Sequence, residues 1–164
     1  MPIEFEIDPK GKQGVFVYPL AMGRVVEHFD ELLENRRAGV LSETVYVREL
    51  KVLLEMAPDF IDGYAHLANS LFEQGKTKTA LEVYRQGIAV GERVIPPNFK
   101  GTIEWADLDN RPFLRAMHGA ALAYMRLRRH KEARGDHGTD SRLQPKRQPG
   151  SSLSHRLGLF SCGG

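Results

Sequence analysis

The chain has 164 residues, 41% of them apolar, with 23 basic and 21 acidic side chains and a mean hydropathy of −0.37. That leaves room for one domain or a short repeat array in a water-soluble balance. No apolar stretch approaches the ~20 residues of a membrane span, and no basic head followed by an apolar run opens the chain. One cysteine, Cys162, excludes an internal disulfide framework and any Cys-based zinc site. A cytoplasmic protein with no membrane contact is the expectation. The net charge of +2 is unevenly spread: residues 1–133 carry 18 basic and 19 acidic side chains, residues 134–164 carry 5 and 2. The body shows no basic footprint for nucleic acid, and the run Arg126, Arg128, Arg129, Lys131 reads as cations complementing a helix C-terminus.

Residues 1–20 read as an extended arm or hairpin, Phe5 and Ile7 facing Val15–Tyr18 across the turn-rich Asp8-Pro9-Lys10-Gly11-Lys12. From Ala21 the period becomes helical: Val25, Val26, Phe29, Leu32 and Leu33, with Gly39 as a stop. Ser42 opens a second helix on Val45, Leu50, Leu53 and Leu54, ending at Ala57-Pro58. A third runs over 60–72 and closes at Gly75, and a fourth, capped by Thr77 or Thr79, uses Ala80, Leu81, Tyr84 and Ile88. Residues 96–111 form an insert whose Phe99, Ile103 and Trp105 predict docking on neighbouring helices. Asn110 is set as the N-cap of a fifth helix through Phe113, Met117, Ala120, Ala121 and Tyr124 to about Leu127, and His130 begins a sixth. Helices joined by short turns mean αα-hairpins, hence an all-α domain over 21–133.

Tyr64, Leu67, Ala68, Leu71, Gly75, Ala80 and Tyr84 together resemble one tetratricopeptide repeat, a helix–turn–helix unit of about 34 residues. Leu50, Leu53, Leu54 and Pro58 match the end of a preceding unit, and Met117, Ala120, Ala121, Tyr124 and Ala133 match the next one after an insertion. Arg128 stands where that unit should have its turn glycine. Ala68 and Ala121 fall in the slot that needs a small residue at a close helix crossing. The resemblance is to bacterial members whose repeat is interrupted by an insert ending in an Asn-Arg-Pro-Phe-Leu-Arg run, here 110–115. It implies a right-handed superhelical array whose first helices line a concave face.

An enzyme needs converging nucleophiles, acids or ligands, and none is spaced for the work: no Gly-rich phosphate loop, no G-x-S-x-G, no H-E-x-x-H. His66 and His118 occupy adjacent slots of equivalent helices without a third metal ligand, so neither cofactor nor metal is expected. What the resemblance implies is a non-catalytic scaffold that binds a protein or peptide segment. The inward positions are Asp62, Ala65, Asn69, Phe72 and Glu73 on one unit, and Arg115, His118, Leu122, Met125 and Arg126 on the next. Asn69 sits where carboxylate-clamp members of the family place an asparagine, while Ala65 replaces the clamp's lysine. The rival reading is a homo-oligomer formed through the last hairpin.

Residues 134–164 break the repeat, since the apolar periodicity stops after Ala133. One reading is a disordered basic tail. Another lies in the codons. Read one nucleotide into the Gly135 codon, the same bases can encode E-I-M-E-R-I-L-A-F-N-P-N-D-N-Q-G. In that frame the Asp136 codon yields only Ile or Thr, and the His137 codon only Met or Thr. The shifted proline then falls twelve residues past Ala133, as Pro58 lies twelve past Tyr46 in the equivalent slot. The tail is thus expected to be a frameshift product.

Overall fold

Residues 2–133 are described by the computed structural model, running from a β-hairpin to a long helix. The tail expected over 134–164, and the reading-frame break placed there, lie outside these residues. Strands β1 (Glu4–Ile7) and β2 (Gly14–Val17) pair antiparallel with Phe5 opposite Phe16. The Asp8 carboxylate organises their turn by accepting the Gln13 and Lys12 backbone N–H groups, which holds its pKa below the usual carboxylate range. Two strands alone are marginal in water. Here Phe16, fully buried, packs on Phe113 with ring centroids 5.0 Å apart, and Phe5 packs edge-on against Phe99 of the insert.

Five helices follow: α1 (Gly23–Arg37), α2 (Glu43–Met56), α3 (Ile61–Glu73), α4 (Thr77–Val94) and α5 (Arg111–Ala133). Single 3-10 turns at Leu20–Met22 and Leu108–Asn110 lead into α1 and α5. Ser42 caps α2, its hydroxyl accepting the Val45 N–H at 3.3 Å. After α3 the chain turns on Gly75 at φ 79°, a left-handed conformation that costs a glycine little. Helix α3 packs against α2, α4 and α5, and α4 lies against both α3 and α5. This is an all-α, tetratricopeptide-like arrangement with Tyr46, Tyr84, Phe113, Leu50 and Ile61 fully buried between the helices.

Several local expectations need correction. Neither threonine caps α4: Lys76 holds the cap position without a side-chain bond, and Thr77 is buried in the first turn. The turn expected at Arg128 and the sixth helix from His130 do not form, because the backbone of α5 stays helical through Ala133. Leu127, Arg128 and Arg129 are all good helix formers, and none stops a helix as the left-handed glycine does after α3. Asn110 stands at the entrance to α5, but its side chain is committed elsewhere. Its Oδ1 accepts the Phe16 N–H (3.1 Å) while its Nδ2 donates to the carbonyls of Gly14 and Glu104 (3.1 Å each). Fully buried and fully satisfied, it ties the hairpin and the insert to the start of α5.

The insert docks on that hairpin. Gln13 pairs with Thr102, and Phe99 is buried. Trp105 departs from expectation: it is 49% exposed, with the Arg111 guanidinium 5.9 Å from its ring centroid. Arg111 Nε also donates to the Trp105 carbonyl, which pins the insert to α5 without burying the indole.

Candidate protein-binding face

Helices α3 and α5 carry all ten residues expected on the concave face, and several of them hold one helix to another. Asp62 of α3 pairs with Arg115 of α5. Arg126 of α5 reaches back over Phe72, its guanidinium carbon 3.4 Å from the ring centroid, and its Nη1 donates to the Phe72 carbonyl at 2.9 Å. Glu73 meets Arg36 of α1 at 3.3 Å. Asn69 accepts the hydroxyl of Tyr84 from α4, so the oxygen of the expected clamp residue is already engaged. Burial raises the pKa of that tyrosine to about 12, with the Glu73 charge adding to the effect.

Arg36 is the residue that sequence reasoning missed. Its Nε bonds Glu43 of α2 at 3.0 Å, its Nη2 meets Glu73 of α3, and its guanidinium lies 4.6 Å from the Tyr46 ring centroid. One side chain thereby brackets three helices. Nothing local announces it, because an arginine in the last turn of a helix is unremarkable in a sequence.

Beneath the Asp62–Arg115 pair lies a second feature absent from the sequence reading. His66 packs edge-on against Phe29, its Nδ1 is 3.1 Å from the Tyr46 hydroxyl, and its Nε2 is 3.8 Å from Asp62 Oδ1. Burial lowers its pKa to about 4, against a smaller upward pull from Asp62. The ring is therefore neutral at pH 7, and its Nδ1 shares a hydrogen bond with the Tyr46 hydroxyl. Burial pushes Tyr46 up to about 12. It pushes Tyr18 higher still, with Asp62 and Asp109 adding to the shift. His66 turns into this cluster, and His118 is exposed on α5.

Four of the ten expected residues lie exposed: Glu73, His118, Leu122 (41% exposed) and Met125 (53% exposed). Ala65, placed on the open face by the sequence pattern, is fully buried because α5 packs across that side of α3. Of the repeat-signature positions, Leu67, Ala68, Leu71, Ala80 and Tyr84 are buried, Tyr64 is half-buried, and Gly75 makes the turn. On α5 Tyr124 is half-buried, Ala121 is exposed rather than at a close crossing, and Ala133 is the last described residue of the helix. The close approach on α5 is instead at Gly119, where a Cβ would collide with the Tyr84 ring. A small cavity of about 90 Å³ beside Met22, Val25, Met56 and Pro58 lies apart from this face. It falls well below the ~300 Å³ at which ligand pockets begin.

Residues 61–99, which hold α3 and α4, match the family model of the tetratricopeptide repeat. The chain thus carries a repeat of the tetratricopeptide type over α3 and α4, and a repeat of this kind suggests a role in protein interaction. No curated protein and no solved structure matches it. No described helix is long and apolar enough to cross a membrane.

Proposed function

We propose that the chain is a non-catalytic cytoplasmic scaffold that holds an unidentified protein or peptide segment across α3 and α5, without cofactor, metal or nucleic acid. The observation that carries this reading is the exposure of Leu122 and Met125, one helical turn apart on α5, the helix whose Arg126 lies over the half-buried ring of Phe72. The polar residues around them are already paired, so they shape the face, and the apolar pair supplies the surface that gains by leaving water. A segment with two apolar side chains at matching spacing fits, with polar groups that reach Glu73 and the rim of Asn69.

A photo-crosslinking residue at Met125 in the native host should capture a discrete set of proteins. The same residue at Val52, an exposed position on α2, should not. Equal capture at both positions, or none at Met125, overturns the reading. Self-association through α5 is the rival. Residues 111–131 hold six Lys or Arg and no Asp or Glu, so two copies meeting through this helix would set like charges together.

A further inference from the structure

The insert before α5 is pinned on both sides, yet its largest apolar side chain stands in water. Thr102 exchanges backbone bonds with the hairpin: its N–H donates to the Lys12 carbonyl (2.7 Å), and its carbonyl accepts the Gly14 N–H (2.9 Å). Asn110 Nδ2 donates to the Glu104 carbonyl and Arg111 Nε to the Trp105 carbonyl, each at 3.1 Å. The Asn110 N–H closes on the Asp107 carbonyl at 3.2 Å. Phe99, which is buried, and the half-buried Ile103 supply apolar contact with the core. The side chains of Trp105 and Leu108 remain 49% and 68% exposed. A lone exposed leucine is ordinary. An indole fixed beside one on an ordered loop is informative, because it offers a partner a large contact area while the cost of ordering the loop is already met in the free protein.

Charge selects the occupant. Residues 104–111 carry Glu104, Asp107 and Asp109 against a single cation, Arg111. That cation is engaged with the patch itself, its Nε on the Trp105 carbonyl and its guanidinium carbon 5.9 Å from the indole centroid. Glu104 accepts from the Gln13 side-chain amide, an uncharged donor that leaves its charge in place. Lys12 and Lys100 lie at the other end of the insert, where it joins the hairpin. Nucleic acid or an anionic membrane would meet like charge around Trp105. A basic segment meets opposite charge, which steers and orients its approach. We infer that Trp105 and Leu108 form a second docking site, for a cationic segment of a partner protein that carries an apolar side chain next to Lys or Arg. The site precedes α5, and Leu122 lies roughly 16 Å along that helix from Arg111. It therefore does not rest on the proposed α3–α5 face.

Trp105 is the sole tryptophan, so its emission reports on the patch directly. In the full chain alone that emission should change neither with protein concentration nor with salt. A change with concentration makes a second copy the occupant, and a change with salt alone makes the chain's own basic residues 134–164 the occupant. Either result overturns the inference. Selection of short random displayed peptides on the full chain at low ionic strength then reads the chemistry of the partner. Selected peptides should set Lys or Arg next to an apolar residue, and a synthetic copy should shift Trp105 emission to the blue. Trp105→Ser should weaken its binding about thirtyfold or more, as loss of an interface hot spot does. Asp107→Lys should weaken it about fivefold. The Asp107 side chain caps nothing, so this reversal spares the 3-10 turn. Val52→Ser, on the exposed side of α2, should leave binding unchanged. Acidic or uncharged peptides, no enrichment at all, or binding that survives Trp105→Ser overturns the inference. Binding lost with Met125→Ser and kept with Trp105→Ser moves the peptide to the α3–α5 face, which supports that reading and overturns this one. A blue shift of Trp105 with a single-stranded oligonucleotide or with phosphatidylserine vesicles overturns it as well.

Discussion

Helices α3 and α5 carry the same stripe of side chains and meet different fates. Ala68 has no exposed surface, while Ala121, in the same slot, is exposed. Nothing in the two residues differs. What differs is that α3 has a helix on each side, whereas α5 is held by α3 and α4 along one face and by the hairpin and insert at its start. Burial is a property of the neighbours a pattern acquires, and the pattern alone records only the faces that need them.

The largest effect is expected where α5 relies on the substitute support. Asn110→Ala removes the partners of one backbone N–H and two carbonyls at a fully buried site. Leaving such groups unpaired costs roughly 1–3 kcal/mol each, so a total loss of about 3 kcal/mol or more is expected. Urea unfolding measures it. A loss below about 1 kcal/mol, the scale of one exposed hydrogen bond, means the hairpin is not what anchors α5.

The second comparison sets one substitution at three alanines. Ala68→Leu and Ala65→Leu each force a larger side chain into a space with no exposed surface, at ~1–3 kcal/mol. Ala121→Leu, on the exposed stripe, should stay within ~0.5 kcal/mol. Thermal melts of the three variants side by side decide the point. If Ala121→Leu falls with the other two, α5 is covered in solution and the contrast between the helices disappears.

The repeat was legible because its information is local. Tyr64, Leu67, Ala68 and Leu71 lie within two turns, and the helix that buries them follows after one glycine turn. The braces were not legible, because they join residues far apart: Asn110 meets Gly14 across 96 positions, Arg126 meets Phe72 across 54, and Arg36 meets Glu73 across 37. Charge and aromatic type do not say which distant partner will be chosen. Ala65 and Ala121 exchanged their expected environments for a related reason, since alanine fits a close crossing and an open surface equally well. The ten expected inward residues all lie on α3 and α5. How many of them are occupied with each other is a matter of tertiary contact alone.

His66 gives the one pH-dependent effect, and it lies on α3. Its pKa is lowered to about 4 by burial, whereas in the unfolded chain an ordinary histidine titrates near 6.5. The neutral ring is the form the fold contains, with the Tyr46 hydroxyl 3.1 Å from Nδ1. As pH falls below about 6.5 the unfolded chain takes up a proton that the native chain refuses, so stability drops. The loss is complete near pH 4, where the native ring also protonates. Between pH 7 and pH 5 this single group should cost about 2 kcal/mol. Unfolding curves at pH 7, 6 and 5 for the parent and for His66→Gln isolate it, because carboxylate titrations common to both cancel in the difference. His118→Gln, in the neighbouring slot of the exposed helix, should leave the step in place. A parent whose stability between pH 7 and 5 changes no more than that of His66→Gln would mean that the α3 cluster opens to water in solution and that the two helices are less different than their burial indicates.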